Sequence, residues 1–313
     1  MTSERITVAP ARRRACWQLA LALGALVAAG CLARRHWPLL ETGALRLAVA
    51  DQGWLLVAAA AAAATWGFSA LAQQGAVLRP LPSRRLVAAQ FAASAANQLL
   101  PAGLGTGAVN LRFLMRCGLS AGRSATALGV KATAGGLVRA ALIAVLATVC
   151  PGVLGLPRPT AGWLALAAAA AVLAVLLTAV LWPRCRAALA LVLADIRAVH
   201  ARPRRAAALW GGSVGFAVLH ALVLIAVTRA VSLPLAPPLV ALLYLAASSA
   251  AALLPTPGGL GSLDAALAFA LTAGGAPGVA AASAVLGYRL LTVWLPLLPG
   301  LLVLALLVRR KAL

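Results

Sequence analysis

The chain has 313 residues, of which 63% are hydrophobic and 10% charged, and its mean hydropathy is +0.99. So few charged side chains cannot cover a soluble domain of this length, and the apolar residues run long enough to suit a bilayer. The 27 Lys and Arg against 5 Asp and Glu leave a net charge of +22. These basic residues sit in short groups between apolar spans without interleaved aromatics, which argues against a nucleic-acid groove and for anchorage beside anionic lipid.

In chain order, Arg12, Arg13 and Arg14 precede an apolar run at 16–33. A cleaved leader ending before Cys31 is one reading of it. A retained first transmembrane helix is preferred, because Ala28 stands where a larger aliphatic is usual and Arg34 and Arg35 follow at once. Further apolar spans fall at about 54–72, 86–100, 124–150, 162–182, 207–231, 239–254 and 278–308. The spans 86–100 and 239–254 are short and run into Pro/Gly-rich breaks. Alanine-rich stretches such as 58–64 predict helices held by close packing of small residues. Between spans, 184–206 carries Leu189, Val192, Leu193, Ile196 and Val199 at helical spacing, as in an amphipathic helix on the membrane face; a solvated loop is the alternative.

The fold class expected is all-α integral membrane, with six to eight transmembrane helices in a single polytopic domain over 1–313. With both short spans re-entrant and six crossings, both termini face the cytoplasm. The inside then holds Arg5, the arginines at 12–14, Arg79, Arg84, Arg85, Arg112, Arg116, Arg123, the arginines between Arg184 and Arg205, and Arg309, Arg310 and Lys311. The outside keeps Arg34, Arg35, Arg46 and Arg158. Eight crossings is the alternative. The cysteines (16, 31, 117, 150, 185) form no CxxC pair and the histidines (36, 200, 220) are scattered, so neither metal nor cofactor is expected.

The most informative feature is a duplication. Residues 92–101, with Ser94, Asn97 and Pro101, match 246–255, with Ser248 and Pro255. Gly103, Leu104 and Gly105 follow the first proline; Gly259, Leu260 and Gly261 follow the second. Gly118 and Gly274 then fall thirteen residues beyond each triplet, and the next helices carry Lys131 and Arg289. Repeat halves of about 86–150 and 239–308 result. Proline ends a helix and glycine frees the backbone, and such breaks survive at membrane depth only where buried in protein or lining a wet cavity. Paired breaks in two inverted halves point to a site near the bilayer midplane.

The helix after each glycine turn presents free N–H groups suited to an anion. Arg112 and Arg116 are spaced i, i+4 and share a helix face, as a phosphate clamp or as inside-facing topology arginines. Lys131, Arg139, Arg229 and Arg289 lie within apolar spans, and Asp264 is the only acid after Asp195. An Asp264–Arg289 pair would make both burials tolerable; an ion relay is the alternative. Arg229 is expected to snorkel from a helix end, and His220 to bond between helices. The expected lipid- or anion-binding set is therefore Asn97, Pro101, Gly103, Gly105, Arg112, Arg116, Lys131, Pro255, Pro257, Gly258, Gly259, Gly261, Asp264 and Arg289.

These residues resemble the lysylphosphatidylglycerol synthase transmembrane region, or flippase-like, family. The resemblance rests on 97–101 (Asn97 to Pro101), 105–112, Gly118 to Ser120, 254–264 with Pro255, Pro257, Gly258, Gly259, Gly261 and Asp264, and Tyr288 and Arg289 followed by Trp294, Pro296 and Gly300. It covers nearly the whole chain. Asp264 stands where the family usually has Glu, the 106–110 turn lacks the family's acid, and 131–138 departs from its Arg and acid. The resemblance implies movement of aminoacylated phospholipids between leaflets, or service to polyprenyl-linked glycolipid pathways. No synthase activity is expected, since the sequence ends at Leu313.

The leading expectation is a non-enzymatic cell-membrane protein that binds and translocates an anionic phospholipid or polyprenyl-linked lipid. The alternatives are a membrane-embedded transferase on polyprenyl-phosphate lipids, for which Asp264 is the only deep carboxylate, and a non-transporting partner of a lipid synthase.

Overall fold

The computed structural model describes residues 45, 47–99, 104–150, 194, 196–252 and 261–310. Among them the chain is helical and has no strand. The elements are α1 (Gln52–Gly75), α2 (Ser83–Leu99), α3 (Leu104–Arg116), α4 (Ala121–Val149), α5 (Pro203–Ala230), α6 (Pro237–Ala252), α7 (Ser262–Ala273) and α8 (Gly278–Arg289). A five-residue π-helical turn, Leu290–Trp294, leads from α8 into α9 (Leu295–Arg309). Among the described residues, four helical stretches are long and apolar enough to cross a bilayer: α1, α4, α5 and the continuous Gly278–Arg309. The expected spans 16–33 and 162–182 lie outside the described residues.

Local chemistry sets the helix ends. Asp51 caps α1, accepting from the backbone N–H of Gly53 at 2.7 Å and of Trp54 at 3.3 Å. Arg205 donates to the carbonyl of Gln74 at 2.8 Å, adding a charged donor at the C-terminal end of α1, where the N–H of Val77 also reaches that oxygen. Most of the expected amphipathic segment 184–206 lies outside the described residues, and its described end is interrupted before 206. Its helix turns at Ala201, and Pro203 opens α5 instead, a position where a missing N–H is harmless. Val199 is buried, and it and Ile196 pack with Ala76, Val130 and Leu209, so this piece closes the end of the bundle.

The central pair is α1 with α5, antiparallel and in close backbone contact. A Cβ at Gly75 would lie 2.2 Å from the backbone N of Leu209, and one at Gly212 2.4 Å from that of Ala72. The amide of Asp51 reaches the carbonyl of Ala230 at 3.1 Å, so the contact runs the length of both helices. In lipid no solvent drives helices together, and close approach through small residues supplies the dispersion that does. Gly212→Ala should therefore lower thermal stability in detergent by about 2 kcal/mol, the usual scale of overpacking. Gly211→Ala, whose Cβ meets open space, should not.

The antiparallel pair fixes how the two copies face. α2 departs from the end marked by Gly75 and Leu209, and α6 from the opposite end marked by Asp51 and Ala230, so the copies are inverted. Each copy holds two short helices that no bilayer-spanning stretch includes: α2 and α3 (17 and 13 residues), α6 and α7 (16 and 12 residues). None exceeds about 26 Å at 1.5 Å per residue, below the roughly 30 Å of a hydrocarbon core. The contacts are reciprocal: α4, ending the first copy, packs on α6, and α9, ending the second, packs on α2.

The re-entrant pairs end alike. Gly118 donates to Met115 O and Leu119 to Leu114 O; Gly275 donates to Thr272 O and Ala276 to Leu271 O. Both are Schellman closures with a left-handed glycine, φ 87° at Gly118 and 98° at Gly275. The glycine equivalent to Gly118 is thus Gly275, one residue beyond the Gly274 expected from spacing. Gly274 itself has φ −77° and ends α7.

Candidate functional site

Between the two copies lies one cavity of about 340 Å³. Its lining draws on equivalent positions of the duplication. Gln90 and Ser94 on α2 match Tyr244 and Ser248 on α6, and all four line it. Asn97, Gln98, Thr106 and, on α4, Arg139 complete the first copy's share; Leu263, Tyr288, Arg289, Thr292 and Val293 complete the second's. Ala62, Thr65, Trp66 and Ser69 of α1 and Phe216 and His220 of α5 supply the remaining walls. The π turn sets the register after Arg289: Thr292 and Val293 face the cavity while Leu290 and Trp294 are exposed.

Three polar groupings hold it. In the first, Lys131 Nζ donates to Ser69 Oγ and to Gln90 Oε1, both at 3.0 Å, and Ser69 donates to the same Gln90 oxygen at 2.8 Å. Gln90 Nε2 then donates to Asn110 Oδ1 at 2.6 Å, tying α2 to α3. In the second, Arg139 donates to Ser248 at 3.0 Å, joining the copies. The third is aromatic: Tyr288 donates to the Tyr244 hydroxyl at 3.0 Å, and His220 Nδ1 lies 3.0 Å from the Tyr288 hydroxyl.

Asp264 and Arg289 form the ion pair of the second copy. Arg289 donates through Nε to Asp264 Oδ1 and through Nη2 to Oδ2, the latter at 3.2 Å. Asp264 Oδ2 also accepts from the N–H of Gly261 at 2.9 Å, so one carboxylate caps α7 and neutralises a buried guanidinium. Gly261 holds φ 82° there, a conformation that favours glycine.

The expected residues divide as follows. Asn97 and Arg289 line the cavity, Asp264 binds Arg289, and Lys131 stands immediately behind the wall through Ser69 and Gln90. Gly105 is where α3 crosses α2. Arg112 and Arg116 stand apart from this group. Both are exposed on α3 and neither lines the cavity, because Phe113 and Leu114 take the buried face. Pro101, Gly103, Pro255, Pro257, Gly258 and Gly259 lie outside the described residues.

Arg139, Gln90, Ser69 and the His220–Tyr244–Tyr288 group were not in the expected set. Signals were present for some of them: Arg139 and His220 stand within apolar spans, and the chain's two tyrosines both stand in mid-span, where a hydroxyl needs a partner. Gln90 carried none, since a lone glutamine in an apolar span does not reveal which helix it faces.

Crossing helices, inverted re-entrant pairs and a partly open cavity with polar groups in its walls define a multi-pass membrane protein of the broken-helix kind. Residues 17–300 match the family described as Lysylphosphatidylglycerol synthase TM region, and the chain belongs to that family. No curated protein matches it significantly.

Proposed function

We propose that this chain binds the phosphate of an anionic lipid headgroup in the cavity and passes the lipid between leaflets of the cell membrane, without catalysing a covalent step. The observation that carries this reading is a cavity between two inverted broken-helix pairs, lined by Arg139 and Arg289 with Lys131 just behind its wall, where Arg289 is the cation that Asp264 pairs with among the described residues. Ionisable groups at membrane depth mark substrate pathways. A cavity near the small end of the roughly 300–1,000 Å³ of ligand pockets suits a headgroup and leaves the acyl chains in lipid.

Charge supports an orientation. The end where α1 stops and α5 starts carries Arg79, Arg84, Arg85, Arg123 and Arg205. Leu307 packs against the α2 entrance, which brings Arg309 to the same end. The opposite end has Arg229 and Asp51. The basic end is cytoplasmic on this reading.

The test is leaflet exchange of a fluorescent anionic phospholipid in vesicles containing the purified chain. Arg139→Gln removes a charge-assisted donor and should weaken lipid capture by about 10- to 100-fold. Exchange no faster than in empty vesicles, with folded protein present, would overturn the proposal.

A further inference from the structure

Away from the cavity, two polar side chains are fully buried and unpartnered. Gln73 on α1 and Ser124 on α4 are both 0% exposed, and neither lines the cavity. Gln73 Nε2, Gln73 Oε1 and Ser124 Oγ have no hydrogen-bond partner among the described residues. Helix geometry puts them on one seam. Ser69 and Gln73 are spaced i, i+4 on α1, and Ser124 and Lys131 i, i+7 on α4, so each pair shares a helix face. The bond from Lys131 Nζ to Ser69 Oγ at 3.0 Å brings those two faces together. Packing on either side of Gln73 agrees: Ala76 shares an apolar cluster with Val130, and Val77 shares one with Ala127. From Lys131 the seam therefore runs past Gln73 to Ser124. Ser124 is the fourth residue of α4, beside Arg123 at the basic end of the bundle.

Lys131 carries three N–H donors, and the described residues offer them two acceptors, Ser69 and Gln90. A third donor, an amide with both ends unpaired and an unpaired hydroxyl thus follow one another along about 10 Å of helix. Each such group is costly in a dry seam, and three in succession mark a place where a small polar ligand is wanted. A metal cation would meet the like charge of Lys131. Water donates and accepts, and it holds wherever two or more polar groups converge.

We propose that a narrow file of water enters from the basic end between α1 and α4, passes Ser124 and Gln73, and ends on Lys131. The bonds of Lys131 to Ser69 and Gln90 plug its inner end, because those two residues line the cavity and Lys131 does not. This half-channel is separate from the cavity and hydrates the ammonium whatever the cavity holds. It takes from the reading above only that the basic end is cytoplasmic, and it does not depend on which ligand the cavity binds.

The experiment is transfer of magnetisation from water to labelled side chains, read by solid-state NMR on the full chain in phosphatidylcholine vesicles. With 15N-glutamine, the Gln73 amide should receive magnetisation as fast as the exposed ammonium of Lys311 does in a 15N-lysine sample. Gln73 decides the matter because it is fully buried and away from the cavity. The sequence has two lysines, Lys131 and Lys311, so the Lys131 signal is identified by its loss in Lys131→Arg. Ser124→Val removes the first polar group of the file and should slow transfer to both Gln73 and Lys131 by about fivefold, the scale of one lost hydrogen bond. Lys311 should not change. A Gln73 amide that stays dry in the unmodified chain overturns the proposal, as does undiminished transfer to Gln73 and Lys131 in folded Ser124→Val. The Gln73 readout decides even if that variant does not fold. Leaflet exchange of lipid is measured separately, so its failure would leave the water file standing.

Discussion

Asp264→Asn should destabilise the folded chain in detergent by about 3 kcal/mol, the low end of the cost of removing one member of a buried ion pair. The low end applies because the Asp264 side chain is 34% exposed, whereas that of Arg289 is only 5% exposed. The substitution leaves Arg289 charged and enclosed with its strongest partner gone. Asp264→Leu combined with Arg289→Met should recover most of the loss, since no buried charge is then left uncompensated. The remaining deficit should be about 1 kcal/mol, the scale of the cap that Asp264 gives Gly261. Thermal unfolding of the single and double variants checks both values, and a double variant as unstable as the single would show that the pair is not what holds α7 to α8.

Gly105→Ala should be the most damaging single methyl in the described chain. Its Cβ would lie 2.1 Å from the carbonyl oxygen of Ala96 and 2.7 Å from the backbone N of Asn97. Both are backbone atoms, so no side-chain rotation relieves the clash and the α2–α3 hairpin must open. A loss above the usual 1–3 kcal/mol of overpacking is expected, about 4 kcal/mol. Lipid exchange should fall as well, because Asn97, Gln98 and Thr106 reach the cavity from that crossing. Gly107→Ala is the control. Nothing lies within 4 Å of its Cβ, and in a helix interior it should be neutral or stabilising by up to about 1 kcal/mol. Similar losses at the two positions would mean that α2 and α3 do not cross as described.

Several elements could be read one residue at a time. Spans such as α1 and α5 announce themselves because bilayer thickness demands a minimum run of apolar residues. The Asp264–Arg289 pair was legible because one carboxylate stood near few deep cations, and an unpaired charge there is expensive. The duplication was legible because Pro and Gly act on the backbone locally. Even so, the shift from Gly274 to Gly275 shows the limit of spacing: the left-handed residue is defined by which carbonyls its turn must satisfy, not by distance from a motif.

Sequence alone determined that this protein is helical, membrane-spanning and interrupted twice, since hydropathy, helix breaking and charge segregation are properties of single segments. Only tertiary structure decided which side chains meet. Helical spacing put Arg112 and Arg116 on one face, but the packing of Phe113 and Leu114 turned that face outward. Packing likewise made Arg139 and the paired positions Gln90 and Tyr244 walls of the cavity, with Lys131 behind them. The physical reason is that a cavity exists only between elements, so its lining follows from helix rotation and crossing that no single segment encodes.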